Sequence, residues 1–93
     1  MLTASATAPY AVQWLHAAEK DARTVPRSHE ERLLSIVSRL RLDPRPPAAS
    51  AKHGGFKGLL GIACGRFRIL YRVDDARQLV EIARVRHRKD AYR

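Results

Sequence analysis

The chain has 93 residues, 45% of them hydrophobic and 29% charged, and carries a formal net charge of +9. That balance excludes a disordered chain and provides for one modest core in one domain, residues 1–93. The longest uncharged run, around GLLGIACG, is too short to span a bilayer, so no membrane partner is expected. The first nine residues, MLTASATAP, have neither a basic nor an apolar signal region and read as a flexible tail. Tyr10-Ala-Val-Gln-Trp14 alternates as a half-buried strand does, with Tyr10, Val12 and Trp14 on one face. From His16 to Val25 the pattern turns helical, with Ala18, Ala22 and Val25 inward, and Pro26 ends it. Ser28-His-Glu-Glu31 matches a capping box, and the helix after it places Leu33, Ile36, Val37 and Leu40 on one stripe. Asp43-Pro-Arg-Pro-Pro47 stops that helix, and the short link between the helices predicts an antiparallel pair. Pro46 to Gly55 reads as a loop. Leu59–Cys64, Phe67–Val73 and Leu79–Val85 then read as consecutive strands, punctuated at Gly65 and at Asp74-Asp75. The expected fold is α+β in the order β-α-α-β-β-β, two helices over a largely antiparallel sheet.

The charge is uneven. Residues 1–50 hold seven Lys/Arg against five Asp/Glu, whereas residues 51–93 hold eleven against four. The second half therefore dominates the field and favours an anionic partner, with RNA first. Its cations cluster from Arg66 to Arg93. By strand alternation Arg84, Arg86 and Arg88 are expected to project together, while His87 points the other way. The single cysteine, Cys64, excludes an internal disulfide, fits a reducing cytosol and reads as a small strand residue. His16, His29 and His53 are read as scattered and solvent-exposed; they form no metal-ligand spacing with Cys64 or the acids, so no metal and no cofactor are expected. Gly54-Gly55 reads as a turn, and no phosphate loop is present.

Several segments together resemble the RelE/ParE superfamily of bacterial toxins, and its RelE-like branch in particular. They are Tyr10-x-Val12-x-Trp14 with Ala18-x-Lys20-Asp21 and Val25-Pro26, then Leu40-x-x-Asp43-Pro44-Arg45-Pro46. Gly65-x-Phe67-Arg68-Ile69-Leu70-Tyr71-Arg72-Val73-Asp74-Asp75 and Val85-x-His87-Arg88-Lys89-Asp90-x-Tyr92-Arg93 complete the set. The resemblance implies a cytoplasmic toxin of a type II toxin–antitoxin system, held inactive by a RelB-like antitoxin. It also implies an endoribonuclease that cleaves mRNA in the ribosomal A site, in contact with 16S rRNA. By position, Arg68 matches an arginine on the scissile phosphate, Arg88 a second active-site arginine, and Tyr92 the tyrosine that assists attack by the ribose 2′-OH. Lys52, Lys57, Arg66, Arg72, Arg86, Lys89 and Arg93 are the expected RNA and ribosome contacts. One departure stands out: Gly61 and Ala63 occupy positions where relatives carry basic residues, which implies weakened activity.

Cleavage through the RNA's own 2′-OH needs in-line geometry, removal of the hydroxyl proton and stabilisation of charge on phosphorus. Arginine stays protonated at any working pH, so Arg68 and Arg88 are expected to hold the phosphate and stabilise developing charge. Tyr92 handles a proton only if Arg88, Lys89 and Arg93 lower its pKa; otherwise it stacks on a base. His87 titrates near neutrality, and its orientation favours a structural role over acid–base work. A ParE-like inhibitor of DNA gyrase and a catalytically inactive antitoxin-binding member remain the alternatives.

Overall fold

The computed structural model describes residues 9–51 and 58–87. The elements run β1 (Ala11–Trp14), α1 (His16–Ala22), α2 (Arg27–Leu42), β2 (Ser50–Ala51), β3 (Leu60–Cys64), β4 (Phe67–Asp74) and β5 (Leu79–His87). They form one five-stranded sheet in the order β1-β5-β4-β3-β2. β1 lies parallel to β5 at one edge, and every other pairing is antiparallel. This is the expected α+β fold with one strand more than the periodicity showed. β2 has two residues, too few for alternation to register, and it lies within the expected Pro46–Gly55 loop.

Both helices contribute to a single apolar cluster on one side of the sheet. Ala18 of α1 and Leu33, Val37 and Leu40 of α2 meet Ile62, Ile69, Tyr71, Val80, Ile82 and Val85. The expected α2 stripe is thus the core, with Ile36 at its half-buried margin. β1 is held at both ends: Ala11 N–H donates to the Gln78 carbonyl at 2.8 Å, and Leu15 N–H donates to the Ile82 carbonyl at 2.9 Å.

Two local expectations fail for identifiable reasons. α1 stops at Ala22, before Val25, because the Thr24 amide and hydroxyl both donate to the Asp21 carbonyl, at 2.9 and 2.7 Å. The side chain thereby competes with continued helix. The capping box does not form either. Pro26 occupies the cap position, with φ −58° and no side-chain cap bond, so Ser28 already lies inside the helix. Its Oγ sits 3.2 Å from His29 Nδ1. A proline fixes φ at a helical value, so entry precedes the serine.

Tyr71 ties the sheet to the exit of α2. Its ring is fully buried, and its hydroxyl donates to the Pro44 carbonyl at 2.7 Å. Burial pushes its pKa up to about 12, with a smaller upward push from Asp43 outweighing nothing but part of the Arg45 charge. A native pKa above the unfolded value of 10.0 means that stability is complete below pH 10 and falls as pH rises towards 12. Tyr71→Phe is expected to lose about 1 kcal/mol at neutral pH. It should also lack that alkaline decline, as urea unfolding at neutral and alkaline pH will show.

Candidate functional site

Strand register sorts the sheet's side chains onto two faces. Phe67, Ile69, Tyr71 and Val73 of β4 pack against the helix-side core. Arg68, Leu70 and Arg72 therefore project from the opposite face, where the described residues place no helix. Across the strands, Arg68 lies directly opposite Arg86 on β5 and Ala63 on β3. Directly opposed residues of antiparallel strands hold their Cβ atoms roughly 5 Å apart, where like charges destabilise. Arg68 is half-buried, with its Nε shielded from solvent. Arg86 is also half-buried and has no ion pair among the described residues. Two adjacent guanidiniums on a helix-free face are suited to one anionic group between them.

The other sequence-selected cations are placed less uniformly. Arg66 is exposed in the two-residue β3–β4 turn, at the same end of the sheet as Arg68 and Arg86. Arg72 shares the face but stands opposite Glu81, about 13 Å along the strand from Arg68. Arg84 does not join Arg86. It turns to α1, donating Nε to Asp21 Oδ2 at 2.8 Å and Nη2 to Oδ1 at 3.1 Å. The reason is a register shift: Leu70 pairs with Arg84 but Tyr71 pairs with Ile82, leaving Ala83 as an extra residue in β5. The selections Lys52, Lys57, Arg88, Lys89, Tyr92 and Arg93 lie outside the described residues.

Gly61 and Ala63 lie on this same face, opposite Leu70 and Arg68. The β3 row beside the arginines is therefore uncharged. Leu70 itself is completely buried although it belongs to the face away from the helices.

On the other face, the same end of the sheet holds a short aromatic row. Phe67 meets His29 edge-on at 5.5 Å and His87 edge-on at 5.6 Å. His87 thus points away from Arg86, as alternation implied. His29 is half-buried against the hairpin rather than scattered on the surface. The turn docks there because Gly65 has φ +60° and no side chain; a Cβ would come within 2.7 Å of the His29 ring and 3.1 Å of Arg32 Nη1. Gly65→Ala is expected to cost about 1–2 kcal/mol from the left-handed backbone alone. Displacement of His29 adds to it, and a thermal melt reads the sum.

Elsewhere, acids neutralise the exposed arginines. Asp75 accepts two bonds from Arg45, at 3.0 and 2.9 Å, and one from the Tyr10 hydroxyl at 2.7 Å. The Arg45 bonds, then the Tyr10 bond, hold its carboxyl below the usual range. Cys64 is buried, and desolvation pushes its thiol up despite the nearby Arg32 charge, which suits packing rather than nucleophilic work.

Comparison with known proteins fixes the family. The sequence profile of the ParE toxin of type II toxin–antitoxin systems, parDE, matches residues 12–92. The chain belongs to this toxin family. No curated protein matches it. Among solved structures, the RelBE2 toxin–antitoxin complex of Mycobacterium tuberculosis aligns with a TM-score of 0.74 at 27% identity, covering 86% of this chain and 99% of that one. The isolated Escherichia coli RelE toxin aligns at 0.71 and 20% identity, over 84% of this chain and 83% of that one. E. coli YafQ aligns at 0.72 and 14% identity, over 90% and 99%. At those lower identities the likeness is one of fold. The chain is thus a toxin of the RelE/ParE fold, as the residue pattern had implied.

Proposed function

We propose that this toxin arrests translation by cleaving mRNA in the ribosomal A site, as a ribosome-dependent endoribonuclease. One observation carries the reading: Arg68 and Arg86 stand directly opposite each other on the helix-free face. The RNA's 2′-oxygen attacks the adjacent phosphorus and the 5′-oxygen leaves. Arg68, with Arg88, holds the phosphate and stabilises the extra negative charge, so guanidinium charge takes the part that a metal plays elsewhere. Tyr92 receives the 2′-hydroxyl proton, and Arg86 guides the backbone. Lys52, Lys57, Arg66, Arg72, Lys89 and Arg93 supply further contacts to mRNA and 16S rRNA. A surface this small orients RNA poorly alone, and the ribosome provides the missing positioning. A RelB-like antitoxin, acidic where it meets the basic face, holds the toxin inactive in the cytoplasm.

A second reading has its own support. The matching profile is that of ParE, and the β3 row at Gly61 and Ala63 lacks charge. On that reading the toxin inhibits DNA gyrase and hydrolyses nothing. Two assays on purified toxin decide between them: mapping of mRNA ends in a reconstituted translation reaction, and supercoiling by gyrase. Cuts within the A-site codon with supercoiling intact support the nuclease; blocked supercoiling with intact mRNA overturns it.

A further inference from the structure

β5 changes its surroundings at Ile82. Up to that point β1 covers its outer edge, with Trp14 opposite Ile82 as the last pair. Beyond it the edge faces α1, and there one carboxylate takes over. Asp21 accepts the Val85 amide at 2.9 Å as well as the two Arg84 bonds. Desolvation pushes its carboxyl up, but the bonds from Arg84 and Val85, aided by the Arg84 and Arg86 charges, hold it below the usual range.

The extra residue lies between Ile82 and Val85, and its consequence is large. Val80 and Ile82 face the core. Unbroken alternation from them would send Arg84 and Arg86 into the core and Val85 outward. Ala83 reverses that phase, so Val85 joins the core opposite Ile69 and Arg86 comes to lie opposite Arg68. A slip of one residue exchanges the faces of everything after it. A bulge also leaves backbone groups unpaired, and the Val85 amide is one that Asp21 satisfies.

We propose that Asp21 is a positioning residue: by holding the Val85 amide and Arg84 from α1, it fixes the bulge at Ala83 and so decides that Arg86 is presented beside Arg68. The importance of that presentation rests on the proposed function; the bulge lock itself does not. The test uses the full chain with Asp21→Ala and Asp21→Asn, read by amide hydrogen exchange, by nuclear Overhauser contacts between Val85 and Ile69, and by affinity for a short single-stranded RNA. In Asp21→Ala, Val85 exchange rises about tenfold relative to Val80. The Val85–Ile69 contacts weaken, and RNA affinity falls about tenfold with a salt slope shallower by about one. Asp21→Asn keeps an oxygen acceptor and retains Val85 protection. Equal acceleration at Val85 and Val80, or unchanged Val85 exchange, overturns the proposal and leaves Asp21 an ordinary helix–sheet tether. If the unaltered toxin binds RNA no better than an uncharged control, yet Asp21→Ala selectively exposes Val85, the functional reading fails and the lock stands.

Discussion

Arg68→Ala is expected to abolish growth arrest in a host lacking antitoxin, lowering mRNA cleavage roughly a hundredfold to a thousandfold. Arg86→Ala should lower it less, about tenfold, because a residue guiding the backbone contributes binding rather than charge stabilisation at the reacting phosphorus. Stability should move differently. Arg68 and Arg86 oppose each other across two strands, so removing either relieves a like-charge contact. That gain offsets some lost packing by the Arg68 stem. Melting temperatures should stay within about 5 °C of the unaltered chain, since 1 kcal/mol moves a domain of this size by a comparable amount. Lost activity without lost stability distinguishes a site residue from a structural one. Arg68→Lys sharpens the test: it keeps the charge but not the planar fork, and should recover only a small part of the activity. Arrest that survives Arg68→Ala while gyrase supercoiling is blocked would assign the toxin to the second reading.

Much of the fold was legible because its longer elements bury one face each. The Leu33, Val37 and Leu40 spacing could only be a helix, and β3 to β5 announced themselves by alternation between turn residues. What escaped was short or non-local. β2 is two residues long, and a capping-box pattern at Ser28 was pre-empted by Pro26 two positions earlier. The bulge matters most for function. Nothing marks Ala83 as an inserted residue, and its anchor, Asp21, lies 64 positions before Val85. Simple alternation therefore grouped Arg84 with Arg86, whereas Arg84 pairs with α1. A signal did exist: Val80, Ile82 and Val85 cannot share a face without one extra residue between them. Their common burial demands a bulge somewhere from Ala83 to Arg84. The likeness to RelE/ParE toxins supplied the rest, and it selected Arg68 for a reason composition alone could not provide.

The same register makes Ala63 the most informative site for a gain of function. It is exposed, lies on the helix-free face, and stands opposite Arg68 on the side away from Arg86. Ala63→Lys would place a third cation in the cross-strand row, restoring charge where similar toxins carry it. If the row holds a phosphate, cleavage and growth arrest should rise about tenfold, the effect of roughly 1.4 kcal/mol of added stabilisation. The free protein should meanwhile lose up to about 1 kcal/mol, because a third like charge joins Arg68 and Arg86 without a partner. These opposite signs are the value of the experiment. A general improvement in folding would raise both quantities, and a disruption would lower both. Only a site built for an anion becomes more active as its empty form becomes less stable, and high salt should erase the stability penalty by screening the row. Unchanged mRNA cleavage in Ala63→Lys, with the expected loss of stability, would show that the arginine row does not meet the scissile phosphate. Gyrase inhibition would then be the activity to pursue.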